Sequence, residues 1–304
     1  MTARTALPAI AFLGIGLMGK PMAIRLLQGG YSLTAWNRSR TKAEPLASFG
    51  ASIADTPQQA VAAADIVITM LEAGPIVGDV LRQALPGMRP GTLVIDMSST
   101  RQNEAQEFHA MLAEKGVAFI DAPVSGGVIG AEQGTLAIMA GGSEADFVRA
   151  ESMLAVMGRP TRVGPAGCGQ LAKLCNQLIV GGTLGIVAEA LLLAQAGGAD
   201  PAAVRQAIRG GFAESRILEV HGQRMLDRNF MPGGQIKSQA KDMENILIAA
   251  AAAAGLKLPL TELATETYRG LMEMAPNADQ AAALLALETL NPGQRLASGQ
   301  DKLP

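Results

Sequence analysis

The stretch IAFLGIGLMGKPMAIRLL, Ile10–Leu27, decides the fold. Its four leading apolar residues, Ile10–Leu13, run straight into Gly14, Gly16 and Gly19, and an amphipathic helical pattern follows. A short apolar run stopped by glycine reads as a buried strand, and glycines at this spacing open the next helix. The first glycine permits a tight turn, the second lets the backbone approach a pyrophosphate, and the third lets helix and strand pack closely. Ile15, Leu17 and Met18 complete the turn, and the free N–H groups at the helix N-terminus suit an anion. A glycine triplet alone is a weak signal. Here a strand precedes it, a helix follows it and a second strand ends at Trp36, so the stretch reads as a dinucleotide-binding βαβ unit.

Outward from this unit the alternation continues. Apolar runs at Ser32–Trp36, Ile66–Met70, Leu93–Asp96, Ala118–Asp121, Ala137–Ala140 and Thr161–Val163 alternate with helical patterns and glycine stops. That alternation predicts a doubly wound, mostly parallel α/β sheet with helices on both faces. Thr56, Pro57 and Gln59 supply an N-cap, a proline at the first helical position and a capping-box partner. After VGPAGCGQ, Val163–Gln170, the periodicity is helical throughout, with Ala and Leu replacing Val and Ile. The expected organisation is a Rossmann-type NAD(P)-binding domain over residues 1–165 and an all-α substrate and dimerisation domain over 166–304, joined by a long helix, Gly169–Ala196. Further helices are expected at Pro201–Arg209, Ala213–Arg228, Lys241–Ala254 and Leu260–Met274.

Bulk properties exclude several function classes. The chain has 304 residues, 49% of them hydrophobic, enough for two cores. A formal net charge of -2, without a Lys/Arg run, offers no field for nucleic acid. No metal-ligand spacing and no G-x-S-x-G elbow is present in the sequence. The stretch MTARTALPAIAFLGIG lacks the pattern of an export signal. The most lipid-like segment, Leu174–Ala188, falls short of the roughly 18 to 20 residues that a membrane span needs. A cytoplasmic protein with neither nucleic-acid nor membrane partners is expected. Cys168 and Cys175 read as buried, reduced thiols, and His109 and His221 as surface residues.

The end of the second strand bears on cofactor choice. A carboxylate there would grip the ribose 2′-hydroxyl of NAD, but the sequence reads AWNRSRTK, with Asn37 in that place and Arg38 beyond it. Nothing here repels a 2′-phosphate and Arg38 can pair with one, so NADP is the first expectation and NAD the second. Farther along, Lys173 shares a helix face with Gln170, Asn176 and Gln177 amid apolar neighbours. Desolvation lowers the pKa of such a lysine from about 10.4 toward the range of a proton-transfer group. The alternative is a lysine that snorkels to solvent.

Four motifs stand in the order and spacing of one family: FLGIGLMGKPMA at Phe12–Ala23, DAPVSGG at Asp121–Gly127, GCGQLAKLCNQ at Gly167–Gln177, and KD at Lys241–Asp242. Over Ile10–Leu285 the chain resembles the β-hydroxyacid dehydrogenases. The resemblance implies NAD(P)-dependent hydride transfer on a small carboxylate substrate, without a metal. It implies that Lys173 is the catalytic lysine, which gives a proton to the carbonyl oxygen in reduction and takes it back from the hydroxyl in oxidation. It further implies that Ser125, Gly126 and Gly127 bind the substrate carboxylate, and that Asn176 and Gln177 contact the substrate or hold the lysine. Lys241 would reach the cofactor and active site, and Met70, Leu71 and Ser99 would line the cofactor. Gln177 departs from the asparagine common at its position.

Within the family, AIRGGFAESRILEVHGQRMLDRNFMPGGQI, Ala207–Ile236, resembles the tartronate semialdehyde reductases through Arg209–Gly211, Ser215, Leu218, Asp227–Phe230, Pro232–Gly233 and Ile236, with Gly234 in place of an aromatic. The implied reaction is reduction of 2-hydroxy-3-oxopropanoate to D-glycerate, and its reverse. 3-Hydroxyisobutyrate and other short β-hydroxy acids are the alternatives. An imine reductase usually lacks the lysine, and a non-catalytic scaffold would have lost Lys173 or the Ser125–Gly127 loop. Gly181, Gly182 and Gly185 in an apolar helix suit close approach by another helix, so a homo-oligomer, dimer or tetramer, is expected.

Overall fold

Strands whose every residue is apolar need cover on both faces, and the sheet supplies it. The computed structural model describes residues 7–253 and 255–304. The export reading, in its part over Met1–Ala6, and the expected helix end at Ala254 lie outside these residues. Nine strands form one sheet: β1 (Ile10–Leu13), β2 (Leu33–Trp36), β3 (Ser52–Ile53), β4 (Ile66–Thr69), β5 (Leu93–Asp96), β6 (Ala118–Asp121), β7 (Val124–Ser125), β8 (Leu136–Gly141) and β9 (Gly158–Gly164). Their order is β3-β2-β1-β4-β5-β6-β8-β7, with β9 on β8. The run from β3 to β6 is parallel throughout, and so is β8 with β9. β8 is antiparallel to both β6 and β7.

Alternate residues of the central strands feed two cores. Ile10, Phe12, Ile66, Ile68, Leu93 and Ile95 pack on one side with Met22 and Leu26 of the helix Gly19–Gln28. Ala11, Leu13, Val67 and Val94 pack on the other with Val77, Leu81 and Phe108. At about 25 cal/mol per Å² of apolar surface, this two-sided burial is the main stabilising term of the layer. The strand order reverses direction at β1 and β4, which places a crevice at the carboxyl ends of these strands, where Gly14 begins. The helix start at Thr56 forms as expected: its hydroxyl accepts the N–H of Gln59 at 3.1 Å. The Gln59 side chain, however, accepts from Asp55 rather than from the cap itself.

The chain divides into two compact units, one ending at Lys173 and the other Leu174–Pro304. The second unit is helical: the long helix Cys168–Ala196 enters it, followed by Pro201–Ile208, Arg216–Leu226, Ile236–Ala252, Pro259–Met274 and Ala283–Leu290. Its core gathers Leu184, Leu191, Met225, Phe230, Met243 and Leu284. Several sequence expectations need correction here. The helix expected at Ala213 begins after Ser215, whose hydroxyl caps Leu218, and the one expected at Lys241 begins at Ile236, which puts Lys241 within the helix rather than at its start. The helix Ala283–Leu290 was not foreseen. The apolar helix is 29 residues long and, by length and composition, could cross a membrane, because the chain stays helical beyond both charged residues that bracketed the shorter reading. Leu184, Val187, Leu191 and Leu192 on it are nevertheless buried in the second unit's core. Both cysteines are free, but Cys175 is exposed and Cys168 only half-buried, rather than buried as expected. His221 is no surface residue: Asp279 and Gln280 hold its ring.

Candidate active site

The turn after β1 has the shape that its glycines predict. Gly14 has φ +109°, and a Cβ there would lie 2.3 Å from the Met70 carbonyl oxygen. A Cβ on Gly19 would lie 2.0 Å from the Gly14 carbonyl oxygen, whereas nothing lies within 4 Å of that position on Gly16. The tight turn, the open approach and the close packing thus fall on three separate glycines. The helix Gly19–Gln28 has no side chain capping its first turn, and while the Lys20 N–H donates to the Gly16 carbonyl at 3.0 Å, the Gly19 N–H has no such partner among the described residues and can meet a phosphate. A groove of about 600 Å³ opens beside it, lined by Ile15, Gly16, Leu17, Lys20 and Val128 among others. The residues present fit a dinucleotide.

Asn37 supports this turn from below. Its side-chain oxygen accepts the Ile15 N–H at 2.9 Å, and its amide donates to the Ser39 carbonyl at 3.0 Å. The arginines beyond it differ. Arg40 is held by Glu44 and Asp55, whereas Arg38 is exposed and makes no hydrogen bond or ion pair among the described residues. On the other side, Met70 and Leu71 follow β4 and Ser99 follows β5, all half-buried. Asp96 shapes both loops: one of its oxygens accepts from Thr69 Oγ1 at 2.7 Å and from the Ser98 N–H at 3.1 Å, while Ser98 Oγ accepts the Leu71 N–H at 2.9 Å. Full burial pushes the Asp96 carboxyl up to about 6, against the lowering effect of Ser98 and Thr69.

The DAPVSGG segment and the start of the long helix meet within the first unit. Val124 and Ser125 form the two-residue strand β7 on β8, which no periodicity announces. Lys173 is half-buried, and its Nζ donates to the Val124 carbonyl oxygen at 2.9 Å, beside Ser125. Gly126 and Gly127 are exposed with φ +137° and +63°, conformations that favour glycine. Asp121 accepts the Gly167 N–H at 2.7 Å and the Gln170 N–H at 2.8 Å. Gln170 is buried and spans the Ser98 carbonyl oxygen and the Thr100 N–H at 2.8 and 3.0 Å. Burial pushes the Asp121 carboxyl up to about 7, opposed by those backbone hydrogen bonds. Asp96 escaped the sequence reading, which noted Asp121 only as the head of a motif and Gln170 only as a neighbour on the Lys173 face. An acidic residue closing an otherwise apolar strand, as in LVID and AFID, is the signal that points to the first two.

In the second unit, Gln177 is fully engaged. Its amide donates to Gln239 Oε1 at 3.1 Å and Asp242 Oδ2 at 2.8 Å, and its own side-chain oxygen accepts from Asn176 at 2.9 Å. The Asn176 carboxamide oxygen makes no hydrogen bond among the described residues. Lys241 is exposed, with Nζ 3.6 Å from Asp242 Oδ1.

Comparison with known proteins bears on what this arrangement serves. A model described as the NAD binding domain of 6-phosphogluconate dehydrogenase matches residues 9–172. One described as NAD-binding of NADP-dependent 3-hydroxyisobutyrate dehydrogenase matches 167–287. The 2-hydroxy-3-oxopropionate reductase of Escherichia coli K12 is 41% identical over 286 residues, which is 92% of this chain and 97% of that one. A probable 3-hydroxyisobutyrate dehydrogenase-like protein of Arabidopsis thaliana is 36% identical, covering 93% of this chain and 86% of its own. The solved structure of Mycobacterium tuberculosis 3-hydroxyisobutyrate dehydrogenase with L-serine matches with a TM-score of 0.84 at 32% identity, covering 93% of this chain and 99% of that one.

Proposed function

The chain belongs to the β-hydroxyacid dehydrogenase family, and from that premise we propose that it interconverts 2-hydroxy-3-oxopropanoate and D-glycerate, with NADP preferred. That it is an NAD(P)-dependent oxidoreductase follows from the family. When bound, the reduced cofactor supplies the hydride that adds to the aldehyde carbon. The electron pair of the carbonyl π bond then moves to oxygen, and Lys173 Nζ gives that oxygen a proton; in the reverse direction the amine takes the proton from the hydroxyl. Ser125 and the N–H groups of Gly126 and Gly127 hold the substrate carboxylate. Asn176 offers its carboxamide oxygen, which makes no hydrogen bond among the described residues, to the substrate's hydroxyl, while Gln177 braces Asn176. Lys241 adds positive charge toward cofactor and carboxylate. Met70, Leu71 and Ser99 line the cofactor, and Gly14, Ile15, Gly16, Leu17, Met18 and Gly19 cradle the pyrophosphate with Asn37 in support.

The observation that carries this reading is Lys173 Nζ seated 2.9 Å from the Val124 carbonyl oxygen, beside the Ser125–Gly127 loop. Arg38, exposed and without an ion pair among the described residues, supports the preference for a 2′-phosphate. The test is the initial rate of NADPH and, separately, NADH oxidation with 2-hydroxy-3-oxopropanoate, for wild type and Lys173→Ala. The variant is expected to lose a factor on the order of 10² to 10⁴. Full activity in it would remove the proton-transfer role. The kinship with 3-hydroxyisobutyrate dehydrogenases makes 3-hydroxyisobutyrate the second reading. A higher kcat/KM on that substrate would replace the first.

The proposed setting is a cytoplasmic homo-oligomer. Ile179, Ile186 and Leu193 recur every seven residues along the long helix and are 62%, 64% and 73% exposed in the single chain. Gly182 and Gly185 on the same helix have open space where a Cβ would stand, so a second copy can pack closely there. Light scattering is expected to give a dimer or larger for the wild type and a smaller species for Ile186→Glu.

A further inference from the structure

The long helix starts on a carboxylate. Its first N–H groups have no partner within the helix, and Asp121 satisfies that of Gln170 with one oxygen and that of Gly167, just before the helix, with the other. The approach is unusually close and depends on two glycines. A Cβ on Gly169 would lie 2.4 Å from the carbonyl oxygens of both Asp121 and Met139, and one on Gly141 would lie 2.5 Å from Asp121 Oδ1 and 2.6 Å from the Gly169 nitrogen. The foot of the helix is therefore pressed onto the ends of β6 and β8. Gln170 adds a lateral tie to Ser98 and Thr100 after β5. Lys173 stands one turn beyond Gln170, and the acceptor of its Nζ, the Val124 carbonyl, lies three residues after Asp121 in the same DAPVSGG segment. One short segment thus holds the helix foot and receives the lysine tip.

Resting on the proton-transfer role of Lys173, we propose that Asp121 is a positioning residue for turnover: by clamping the helix foot to the ends of β6 and β8, it sets where the Lys173 amine stands. Asp121 touches neither substrate nor cofactor in this role and acts through the helix. Displacement of a reacting group by about 1 Å can lower a rate on the order of 10²-fold. An uncharged amide at this place keeps the shape but turns one donor toward a helix N–H, so the foot loses one of its two ties. Burial raises the Asp121 carboxyl to about 7, so the charged form is held there against a desolvation cost that the amide does not carry.

The test compares wild type, Asp121→Asn and Lys173→Ala, with kcat, the KM for NADPH and the thermal midpoint at pH 8. Asp121→Asn is expected to lower kcat by roughly 10- to 100-fold. Its KM for NADPH should stay within about twofold and its thermal midpoint should not fall, which separates positioning from general support of the fold. Unchanged kcat in Asp121→Asn beside an inactive Lys173→Ala overturns the positioning role and leaves the lysine's role standing. Full activity of Lys173→Ala overturns both. A joint loss of kcat, cofactor affinity and thermal midpoint assigns Asp121 to the fold in general and also overturns the inference. Where Asp121→Asn does not fold, Asp121→Glu serves, because it keeps both acceptor oxygens but moves them by one methylene. It is expected to show the same fall in kcat at constant KM, and wild-type kcat in it overturns the proposal.

Discussion

At the end of β1 the chain turns within Gly14–Gly19 and opens a helix with a shape written mostly in its own glycines, with Asn37 holding the Ile15 N–H from outside. The seat of Lys173 is instead assembled from the ends of β6, β7 and β8, two glycines and a carboxylate that sit far apart along the chain. Both places bring a helix foot against strand ends at the carboxyl edge of the sheet. In the first, the positive φ of Gly14 and the short contact of Gly19 with the Gly14 carbonyl define the geometry. In the second, Gly169 has no unusual φ, and only the strands around it make a side chain impossible there. A glycine can thus be required by its own backbone or by its surroundings, and only the first kind is visible locally.

The sharpest way to break this comparison is a pair of alanines. Gly14→Ala forces a Cβ against the Met70 carbonyl in a left-handed backbone, a strain on the order of 1–3 kcal/mol before any clash. Its Kd for NADPH, read by fluorescence titration, is expected to rise by about 100-fold or more, with kcat at saturation less affected. Gly169→Ala is expected to do the opposite, with kcat down by about 100-fold and Kd within about threefold. Equal loss of cofactor affinity in the two variants would show that the two seats are not separable.

A smaller effect sharpens the cofactor side. Arg38→Ala removes an exposed guanidinium, without an ion pair among the described residues, whose charge-assisted hydrogen bond to a 2′-phosphate is worth about 1.5–3 kcal/mol. The KM for NADPH should rise at least tenfold while that for NADH stays put, and parallel changes would show that Arg38 does not read the phosphate.

The smallest effect concerns stability. Asp96 and Asp121, near 6 and 7, both lie above the ordinary carboxylate value, so the folded chain keeps their protons to a higher pH than the unfolded chain does. The sign follows: their favourable contribution is complete below about pH 4 and is lost as pH rises through 6 and then 7. In Asp121→Asn one of these titrations is gone, and the drop in unfolding free energy between pH 5 and pH 8 should shrink by on the order of 1 kcal/mol relative to wild type. An unchanged drop in urea titrations would mean that Asp121 keeps its charge throughout.

Much of the fold was legible because it is written in short-range patterns. The runs IAFL, LVID and AFID give strands at the expected residues, and Thr56 and the glycine turn mark helix starts through chemistry that acts over three or four residues. What escaped has the opposite character. The strand Val124–Ser125 is too short to show a period and exists only because β8 runs beside it. The start of the helix Ile236–Ala252 was hidden by the polar run before Lys241. Asn37 stood out only as the residue in place of a ribose-gripping carboxylate, and its contact with the Ile15 N–H, 22 residues back, lies beyond any local pattern.

For this protein, the sequence by itself determined the parallel layered sheet, the dinucleotide turn and the family, since apolar alternation, glycine spacing and motif order need no knowledge of distant contacts. Only the tertiary structure decided how Lys173 is seated, that Gln177 ties Asn176 to Gln239 and Asp242, and that Asp121 and Gln170 fasten the helix foot. Those facts depend on burial and on hydrogen bonds between residues remote in the chain. The cost of leaving a buried polar group unpaired makes such partners obligatory without making them visible in the order of residues.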